Sequence, residues 1–562
     1  MPYDINVVLH AQVVKNMDKN PAQTGHRQRS ALTRQLSSLY AVFILTLGLI
    51  FPLAAVLERE RGVNLYLAEA LQVYLYLVAI AYLLYLELYL LRVYNPNRRP
   101  IPKRHVIIHV EKGDPSYSKH LDPEEEGIEF TDKERPEVHH GEQGISHYLR
   151  LGAILFGVGA LIYDGFRIAE FVLENGQGCR TIADLVITSL HLIFTFIQTF
   201  FLFKHCTIVI NKHKAFARFG VMHLLVTNLC VWLLYAVLET EEDYRKDTLT
   251  QSELDVNDTV KGNNSDDNGP LACFADVTIT DQASPYLYPC VLEYSILAAA
   301  VTYGIYLSIG TAAPVRVKMP RITKAIQNTV RMGCQKSNIG LFLGILVMIL
   351  TLVVLSLYFA FHNNDAIEIE TADGLSLILF SSLELLLLLL SLVAAIVGFF
   401  RLRSLDHRGW KWGTLNDGVM LIGTAGVYIC NVLICIALFQ VFLDLDVTVI
   451  LSLVASLFAI FQASFQTLFI SDGCRRYAKD KEQANEKPGR RSVVFLLICN
   501  LCMWIVDTLA VKKAEEHNAL YADLYGNLCW KIVTHLAVPL IIYYRFHSAA
   551  TLWMIWSRAY EM

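Results

Sequence analysis

Between residues 383 and 400 the sequence reads LELLLLLLSLVAAIVGFF, and between residues 81 and 91 it reads AYLLYLELYLL. A helix needs about 20 mostly apolar residues to cross the hydrocarbon core of a bilayer. The stretch 375–400, which contains the first run, is that long, and Glu384 is its one charged residue. A membrane β-strand would instead require segments of about ten residues that alternate between polar and apolar. Neither run alternates, so both predict membrane-spanning helices.

The same pattern recurs along the whole chain. Of its 562 residues 54% are hydrophobic and 18% are charged, whereas soluble domains have about 45–50% apolar and about 25% charged residues. This composition excludes a disordered chain, a collagen and a disulfide-stapled miniprotein, and the net charge of −4 gives no basic excess for binding nucleic acid. The sequence predicts an all-α polytopic membrane protein with twelve transmembrane helices, at 36–57, 66–91, 148–171, 182–203, 217–238, 287–310, 338–361, 375–400, 416–441, 447–470, 492–511 and 527–548.

The loops between these runs predict the orientation. Lys and Arg cluster in every second loop, as in 92–104, 312–336 and 475–491, while the stretch 362–373 has four acidic residues and no Lys or Arg. Because positively charged loops stay in the cytoplasm, both termini are predicted to be cytoplasmic. The first run follows a polar tail and lacks a small-residue cleavage site, so it is interpreted as a spanning helix and not as a signal peptide.

The loop 240–286 is therefore predicted to lie outside the cell. It is long, acidic and polar, and it contains two glycosylation sequons, at Asn257 and Asn263. The loop 92–147 is predicted to be an inner, largely solvated linker. Cys179 and Cys273 are the cysteines that fall in predicted outer loops, and whether they form a disulfide stays open. The predicted organisation is an N-terminal tail (1–35), an N-terminal half (36–311), a cytoplasmic linker (312–336) and a C-terminal half (337–562).

An internal repeat divides the chain into two halves. Residues 228–232 read NLCVW and residues 500–504 read NLCMW, in helices six spans apart that each follow a basic loop. The preceding helices also match, with FIQT at 196–199 and SFQT at 464–467. Six spans are an even number, so the halves have the same orientation in the membrane. The sequence predicts two parallel six-helix repeats.

Polar and titratable residues at membrane depth are the candidates for function. Each costs about 2.5–3.5 kcal/mol on insertion scales and normally faces the interior of a bundle. Glu293 in helix six and His535 in helix twelve stand out because they are expected at similar depths, and so at matching places, in helices that the repeat makes equivalent. Pro539 also deprives the His535 carbonyl of its helical hydrogen-bond partner. Counted from the predicted helix ends, however, Glu293 and Gln198 differ in depth by roughly 15 Å. Other such residues are Glu69, Glu87, Asp164, Arg167, His191, His223, Glu384, Asp507, Gln198, Asn228, Gln466 and Asn500.

An alternative interpretation is structural for all of these residues. A single Glu or His in a membrane helix is often a hydrogen-bond partner within the bundle, and Asn228 and Asn500 could join neighbouring helices. Snorkelling to the interface is the favoured interpretation for Glu69, Glu87 and Arg167, which lie near helix ends. The chain has no HExxH, Walker or GxSxG motif. We therefore predict no enzymatic activity, no cofactor and no resident metal centre.

Three blocks of this sequence resemble the otopetrin family of proton channels. They are Arg218–Trp232 in helix five, Tyr288–Ser295 in helix six, and the stretch that runs from Tyr525 through His535 to Ser548. The resemblance implies a homodimer of four six-helix barrels in the plasma membrane, with sterol or other lipid in its central cavity. It also implies a proton-selective conductance that extracellular acid activates and external zinc inhibits.

The predicted function is thus a proton channel activated by extracellular acid. The resemblance assigns the polar group between the halves to Gln198, Asn228, Glu293 and His535, with Gln466 and Asn500 at the matching places of the second half. The alternative is a proton-coupled secondary transporter, for which two parallel halves are also a known layout. A membrane enzyme and a non-conducting scaffold protein are less favoured. The complete set predicted for the proton pathway is Glu293, His535, Asn228, Gln198, Gln466, Asn500, His191, His223 and Asp507.

Overall fold

Long helices make up nearly all of the protein that the structure describes. The structure is a computed structural model. The residues that it describes are 21–59, 66–93, 138–140, 147–173, 181–257, 279–310, 337–362, 369–407, 415–441, 447–509 and 518–560.

Six long helices form each half of the chain. In the N-terminal half they are α1 (Pro21–Arg59), α2 (Leu67–Leu84), α3 (His147–Leu173), α4 (Ile182–His205), α5 (Lys214–Asn257) and α6 (Ile279–Ser308). After α2 the chain continues through a π-helical segment, Tyr85–Leu90, and a last helical stretch, Leu91–Val93. In the C-terminal half they are α7 (Asn338–His362), α8 (Ile369–Leu402), α9 (Leu415–Val441), α10 (Val447–Gly473), α11 (Arg490–Leu509) and α12 (Asn527–Arg558). Two short helices, Lys481–Glu486 and Asn518–Tyr525, precede α11 and α12.

The predicted fold class, an all-α polytopic membrane protein, is confirmed. Among the described residues, eleven helices are long and apolar enough to cross a membrane, namely α1 to α11. Helix α12 has the length but is less apolar, since it carries Lys531, His535 and Arg545. A total of twelve spans therefore stays a prediction.

Helix packing repeats between the halves. Helix α3 packs against α4 and α6, α5 packs against α1 and α6, and α2 packs against α4. Six helices later, α9 packs against α10 and α12, α11 packs against α7 and α12, and α8 packs against α10. The same neighbours thus recur, as a six-helix repeat predicts. The two halves meet mainly where α12 packs against α5 and α6.

A short antiparallel strand pair recurs as well. In the N-terminal half, β1 (Val138–His140) pairs with β2 (Ile208–Ile210), and Val138 lies opposite Ile210. In the C-terminal half, β3 (Asp406–His407) pairs with β4 (Arg476–Tyr477). Val138 is buried, so this part of the loop 92–147, which was predicted to be a solvated linker, packs against the protein.

Several helices extend beyond their predicted ends. Helix α1 begins at Pro21, within the predicted tail, and α5 continues to Asn257, within the predicted outer loop. Helix α6 begins at residue 279 instead of 287. The backbone of Asn257 is thus helical, whereas its side chain, together with Asn263, Cys179 and Cys273, lies outside the described residues.

A direct contact corrects the predicted depths. The Tyr294 hydroxyl of α6 lies 3.4 Å from Gln198 Oε1 of α4, and Glu293 is the residue before Tyr294. Glu293 and Gln198 therefore lie at similar levels, and the predicted difference of roughly 15 Å was wrong. The candidate membrane span of α6 begins at Leu287, as predicted, so counting residues from the starts of the two spans does not give a common depth.

Candidate functional site

A buried contact between an amide and a tyrosine lies midway along the N-terminal half. The Tyr294 hydroxyl of α6 is 3.4 Å from Gln198 Oε1 of α4 and 3.3 Å from the Thr195 carbonyl oxygen, and it accepts a 2.9 Å hydrogen bond from Thr199. Gln198 is fully buried, and its Nε2 atom has no hydrogen-bond partner among the described residues. A buried polar atom of this kind is typical of a position where water binds.

The C-terminal half contains a denser version of this contact. Gln466 Nε2 donates to Asn500 Oδ1 at 2.8 Å, and Asn500 Nδ2 donates to Gln466 Oε1 at 3.0 Å. The Tyr544 hydroxyl of α12 lies 3.3 Å from Gln466 Nε2 and 3.2 Å from the Thr467 hydroxyl. All three helices that surround this point therefore contribute a polar group to one buried network.

The predicted amide residues thus occupy matching positions. Asn228 donates to the Leu224 carbonyl at 2.7 Å, just as Asn500 donates to the Leu496 carbonyl at 2.8 Å. The structure brings Gln466 and Asn500 together directly, and it links Gln198 to α6 through a tyrosine. We call these two groups the amide–tyrosine groups: Gln198 and Tyr294 in the first half, with Asn228 at the position that matches Asn500, and Gln466, Asn500 and Tyr544 in the second.

Close glycine contacts fix the register between the halves. A Cβ atom added at Gly159 of α3 would lie 2.6 Å from Cys290 Sγ of α6, and one added at Gly426 of α9 would lie 2.5 Å from Leu540 Cβ of α12. Position 159 therefore corresponds to 426, and 290 corresponds to 540. The same offset in helix six and helix twelve also relates Tyr294 to Tyr544.

This register corrects the expected equivalence of Glu293 and His535. Glu293 precedes Tyr294 by one residue, so its counterpart is Tyr543, whereas His535 precedes Tyr544 by nine residues. The two titratable groups are in equivalent helices but at different levels. The sequence could not show this, because the outer ends of helices six and twelve share no motif that fixes their alignment.

Glu293 is buried at the interface between the halves. It is 1% exposed, and neither carboxylate oxygen has a hydrogen-bond partner among the described residues. Cys290 on its own helix and Tyr543 of α12 interact electrostatically with it, and the Tyr543 hydroxyl also lacks a described partner. A buried polar group without a protein partner is typical of a position where water binds.

His535 lies in a different cluster, near the first turns of α12. Its Nδ1 atom is 3.2 Å from the Thr240 hydroxyl and its Nε2 atom is 3.2 Å from Asp243 Oδ2, both on α5. Glu239, Asp243 and His535 each have one ligand atom within 4.8 Å of the others. One imidazole and two carboxylates form a ligand set that Zn²⁺ accepts. We call these three residues the α5–α12 cluster.

His191 is paired with Asp164 inside the N-terminal half. His191 Nδ1 is 2.7 Å from Asp164 Oδ2, and both side chains are buried. The Tyr235 hydroxyl of α5 lies 3.5 Å from Asp164 Oδ1, and Arg167 donates to the same hydroxyl at 3.3 Å. The pair is therefore a compact group of titratable side chains.

The two remaining predicted residues lie elsewhere. His223 of α5 bonds with the Tyr40 hydroxyl of α1 at 2.7 Å and with the Leu75 carbonyl of α2 at 3.0 Å, an arrangement that holds three helices together. Asp507 Oδ2 is 3.5 Å from Arg545 Nε. Arg545 donates to Gln462 at 2.7 Å, and Gln462 donates to Gln466 at 2.8 Å, so Asp507 is connected to the second amide–tyrosine group.

Sequence reasoning missed the tyrosines and the acidic partners of His535. Tyr294 and Tyr544 each provide the hydroxyl of an amide–tyrosine group, and both lie within the sequence blocks quoted above. The sequence signal that could have found them is a recurring pair: each half has a glutamine in its fourth helix and a tyrosine in its sixth helix. Asp243 and Glu239 were missed because hydropathy ended α5 at residue 238.

Comparison with known proteins identifies the family. The sequence model of the otopetrin family matches residues 148–272 and 250–546, which together cover most of the chain. The chain belongs to the otopetrin family. Within this otopetrin, α1 and α2 precede the matched region, whereas both amide–tyrosine groups and the α5–α12 cluster lie inside it.

Curated otopetrins give the same result. The chain is 29% identical over 95% of its length to the proton channel OtopLc of Drosophila melanogaster, and it spans 36% of that longer protein. It is 23% identical over 72% of its length to the proton channel OTOP2 of Mus musculus, of which it spans 81%. It is also 23% identical over 73% of its length to the proton channel OTOP1 of Danio rerio, of which it spans 78%.

Proposed function

We propose that this otopetrin is a proton channel of the plasma membrane. The observation that carries the proposal is the pair of buried amide–tyrosine groups, one in each half. Amides, hydroxyls and bound water can pass a proton along hydrogen bonds, whereas a hydrated ion needs a wide polar pore. Gln466 and Asn500 are fully buried and joined by two hydrogen bonds, an arrangement that suits transfer of protons better than passage of a hydrated ion. The names of the relatives agree with the proposal.

The reversal potential of the membrane current tests the proposal. The protein is expressed in cells and recorded with impermeant ions on both sides while the outer pH is stepped. A proton-selective channel shifts its reversal potential by about 59 mV per pH unit and needs no other solute. A current that requires a co-transported solute would favour the proton-coupled transporter instead, and the absence of proton current in protein that has reached the surface would refute both.

Extracellular acid is proposed to activate the channel through the α5–α12 cluster. The cluster joins a helix of the N-terminal half to a helix of the C-terminal half, and His535 and Asp243 are partly exposed. Protons that bind to these groups change the charge at the contact between the halves, and this changes the strength of the interaction between α5 and α12. We propose that this change opens the path through the amide–tyrosine groups.

External zinc is proposed to inhibit by binding to the same three residues. Zn²⁺ prefers imidazole and carboxylate ligands in a tetrahedral arrangement, with water completing the set. A bound ion would bridge α5 and α12 and compete with protons for His535, Asp243 and Glu239. Inhibition should therefore weaken as the outer solution becomes more acidic.

The family resemblance also leads us to propose a homodimer with lipid, including sterol, in its central space. Helices α1 and α7 are the most exposed of the described apolar helices, since only 17% and 22% of their most apolar windows are buried. Large apolar faces of this kind must contact lipid or a second copy. The mass of the particle in lipid nanodiscs tests the assembly, and a fully active monomer would refute it.

A further inference from the structure

The Asp164–His191 pair and the first amide–tyrosine group both contact Thr195, the pair through its hydroxyl and Tyr294 through its backbone carbonyl. His191 Nε2 lies 3.5 Å from the Thr195 hydroxyl, and the Thr195 carbonyl oxygen lies 3.3 Å from the Tyr294 hydroxyl. That hydroxyl is in turn 3.4 Å from Gln198. His191, Thr195 and Gln198 are spaced by four and three residues, so they lie on one face of α4. The pair therefore stands in line with the proposed path.

The pair lies between the predicted outer end of α4 and Gln198. His191 is nine residues from Ile182, the first residue of α4, and Gln198 is seven residues further along. At 1.5 Å per residue, His191 lies about 13 Å inside the helix and Gln198 about 10 Å deeper. A proton that enters from the predicted outer side reaches the level of His191 before it reaches the amide–tyrosine group.

The C-terminal half has no such pair at the corresponding place. The offset that relates Gln198 to Gln466 puts Ala459 at the position of His191, and the offset that relates Gly159 to Gly426 puts Asn431 at the position of Asp164. Asn431 donates to the Val427 carbonyl of its own helix at 2.9 Å. The repeat is thus symmetric in its amide–tyrosine groups and asymmetric at this level.

We propose that Asp164 and His191 form a proton-binding site on the path through the N-terminal half. The inference rests on the proposed function. With the carboxylate on Nδ1, the imidazole proton stays on Nδ1 and the lone pair of Nε2 faces Thr195. One proton binds to this lone pair, the imidazole becomes an imidazolium that Asp164 stabilises, and the same N–H bond breaks when the proton moves on towards Gln198.

Charged and titratable side chains surround the pair. Among the described residues, those that interact with the pair or its immediate neighbours are Tyr76 of α2, Tyr163 and Arg167 of α3, Asp184 of α4, Cys230, Tyr235, Glu239 and Glu242 of α5, and Tyr288 of α6. Arg167 reaches the pair through the Tyr235 hydroxyl, to which it donates at 3.3 Å and which lies 3.5 Å from Asp164 Oδ1. A site that binds and releases protons makes the N-terminal path depend on outer pH in a way that the C-terminal path does not share.

The test uses channels in which one half is disabled. The Gln466→Leu background breaks the second amide–tyrosine group and leaves the N-terminal path, and the Gln198→Leu background does the reverse. His191→Gln, which keeps hydrogen bonding but cannot titrate, should lower the proton current at least about tenfold in the Gln466→Leu background. It should change the current less than twofold in the Gln198→Leu background. Equal effects in both backgrounds, or no effect in either, would overturn the site.

A second set of variants covers the case in which a background does not reach the surface. In the otherwise unchanged channel, His191→Gln and Asp164→Asn should both shift the dependence of the current on outer pH. Asn431 shows that an amide fits at the position of Asp164 in the second half, and Asn431→Ser is the matched control that should leave this dependence unchanged. If the wild-type protein conducts protons and both variants keep its pH dependence, the proton-binding site is refuted but the proposed function is not. If the wild-type protein carries no proton current, the proposed function itself is refuted.

Discussion

Gly157 of α3 allows the first amide–tyrosine group to form, because its missing side chain leaves room for Tyr294 and Thr199. A Cβ atom there would lie 2.8 Å from Thr199 Oγ1 and 3.2 Å from the Tyr294 ring. We expect Gly157→Ala to destabilise the protein by about 1–3 kcal/mol through overpacking and to reduce the proton current. Gly165 on the same helix has nothing within 4 Å of its position, so Gly165→Ala is the matched control and should be neutral or slightly stabilising. Thermal unfolding in detergent measures both, and equal melting temperatures would contradict the prediction.

Glu293 is the residue whose burial most needs a functional explanation. Glu293→Gln keeps the size of the side chain and its ability to bond with water, but it removes the titration. We expect a smaller acid-evoked current or a shifted pH dependence, with normal surface expression. Surface biotinylation is the control, and an unchanged current with an unchanged pH dependence would reduce Glu293 to a packing residue. The sequence predicted a carboxyl group at membrane depth; the structure shows that this group is buried within the protein and that it interacts with Tyr543 of α12, which the sequence did not predict.

Hydropathy predicted the existence of the helices well and their ends poorly. Each of the twelve predicted runs overlaps a long helix. Beyond residue 238, however, α5 continues through a polar stretch in which four Glu, two Leu and one each of Lys, Arg and Gln favour a helix in water as well as in lipid. A hydropathy scan detects only the apolar part of such a helix. Its polar extension carries Glu239 and Asp243, and for that reason the partners of His535 could not be predicted.

The contact between α5 and α12 predicts how zinc inhibition should change when one of its three candidate ligands is removed. Removal of one ligand from a three-residue site should weaken zinc binding, so His535→Ala and Asp243→Asn should each raise the zinc concentration for half-inhibition by about 10–100-fold. The matched control is Thr240→Ala, which removes a neighbour of His535 that is not one of the three ligands. Zinc titration of the proton current, with zinc binding to the purified protein as a second measurement, checks this. Unchanged inhibition in both ligand variants would move the zinc site elsewhere.

For the molecule as a whole, the internal repeat predicted which helices correspond between the two halves, which no single motif could do. Two short sequence matches relate α4 to α10 and α5 to α11, and the structure places Gln198 beside Tyr294 in one half and Gln466 beside Tyr544 in the other. The matches did not relate α6 to α12 in register, because these two helices share no motif. The differences between the halves, such as Asp164 against Asn431, become visible only when packing fixes the alignment.

The orientation of the whole molecule rests on the charges of its loops and is the last property to test. If the loop 240–286 is outside the cell, the sequons at Asn257 and Asn263 enter the lumen of the endoplasmic reticulum during synthesis, where sugars are attached. Glycosidase should then lower the apparent mass of the wild-type protein. Asn257→Gln and Asn263→Gln together should abolish this shift, and each alone shows which sequon is used. An epitope inserted after residue 263 should bind antibody on intact cells. Binding only after permeabilisation would reverse the orientation, and the α5–α12 cluster would then face the cytoplasm and could not sense external acid or zinc.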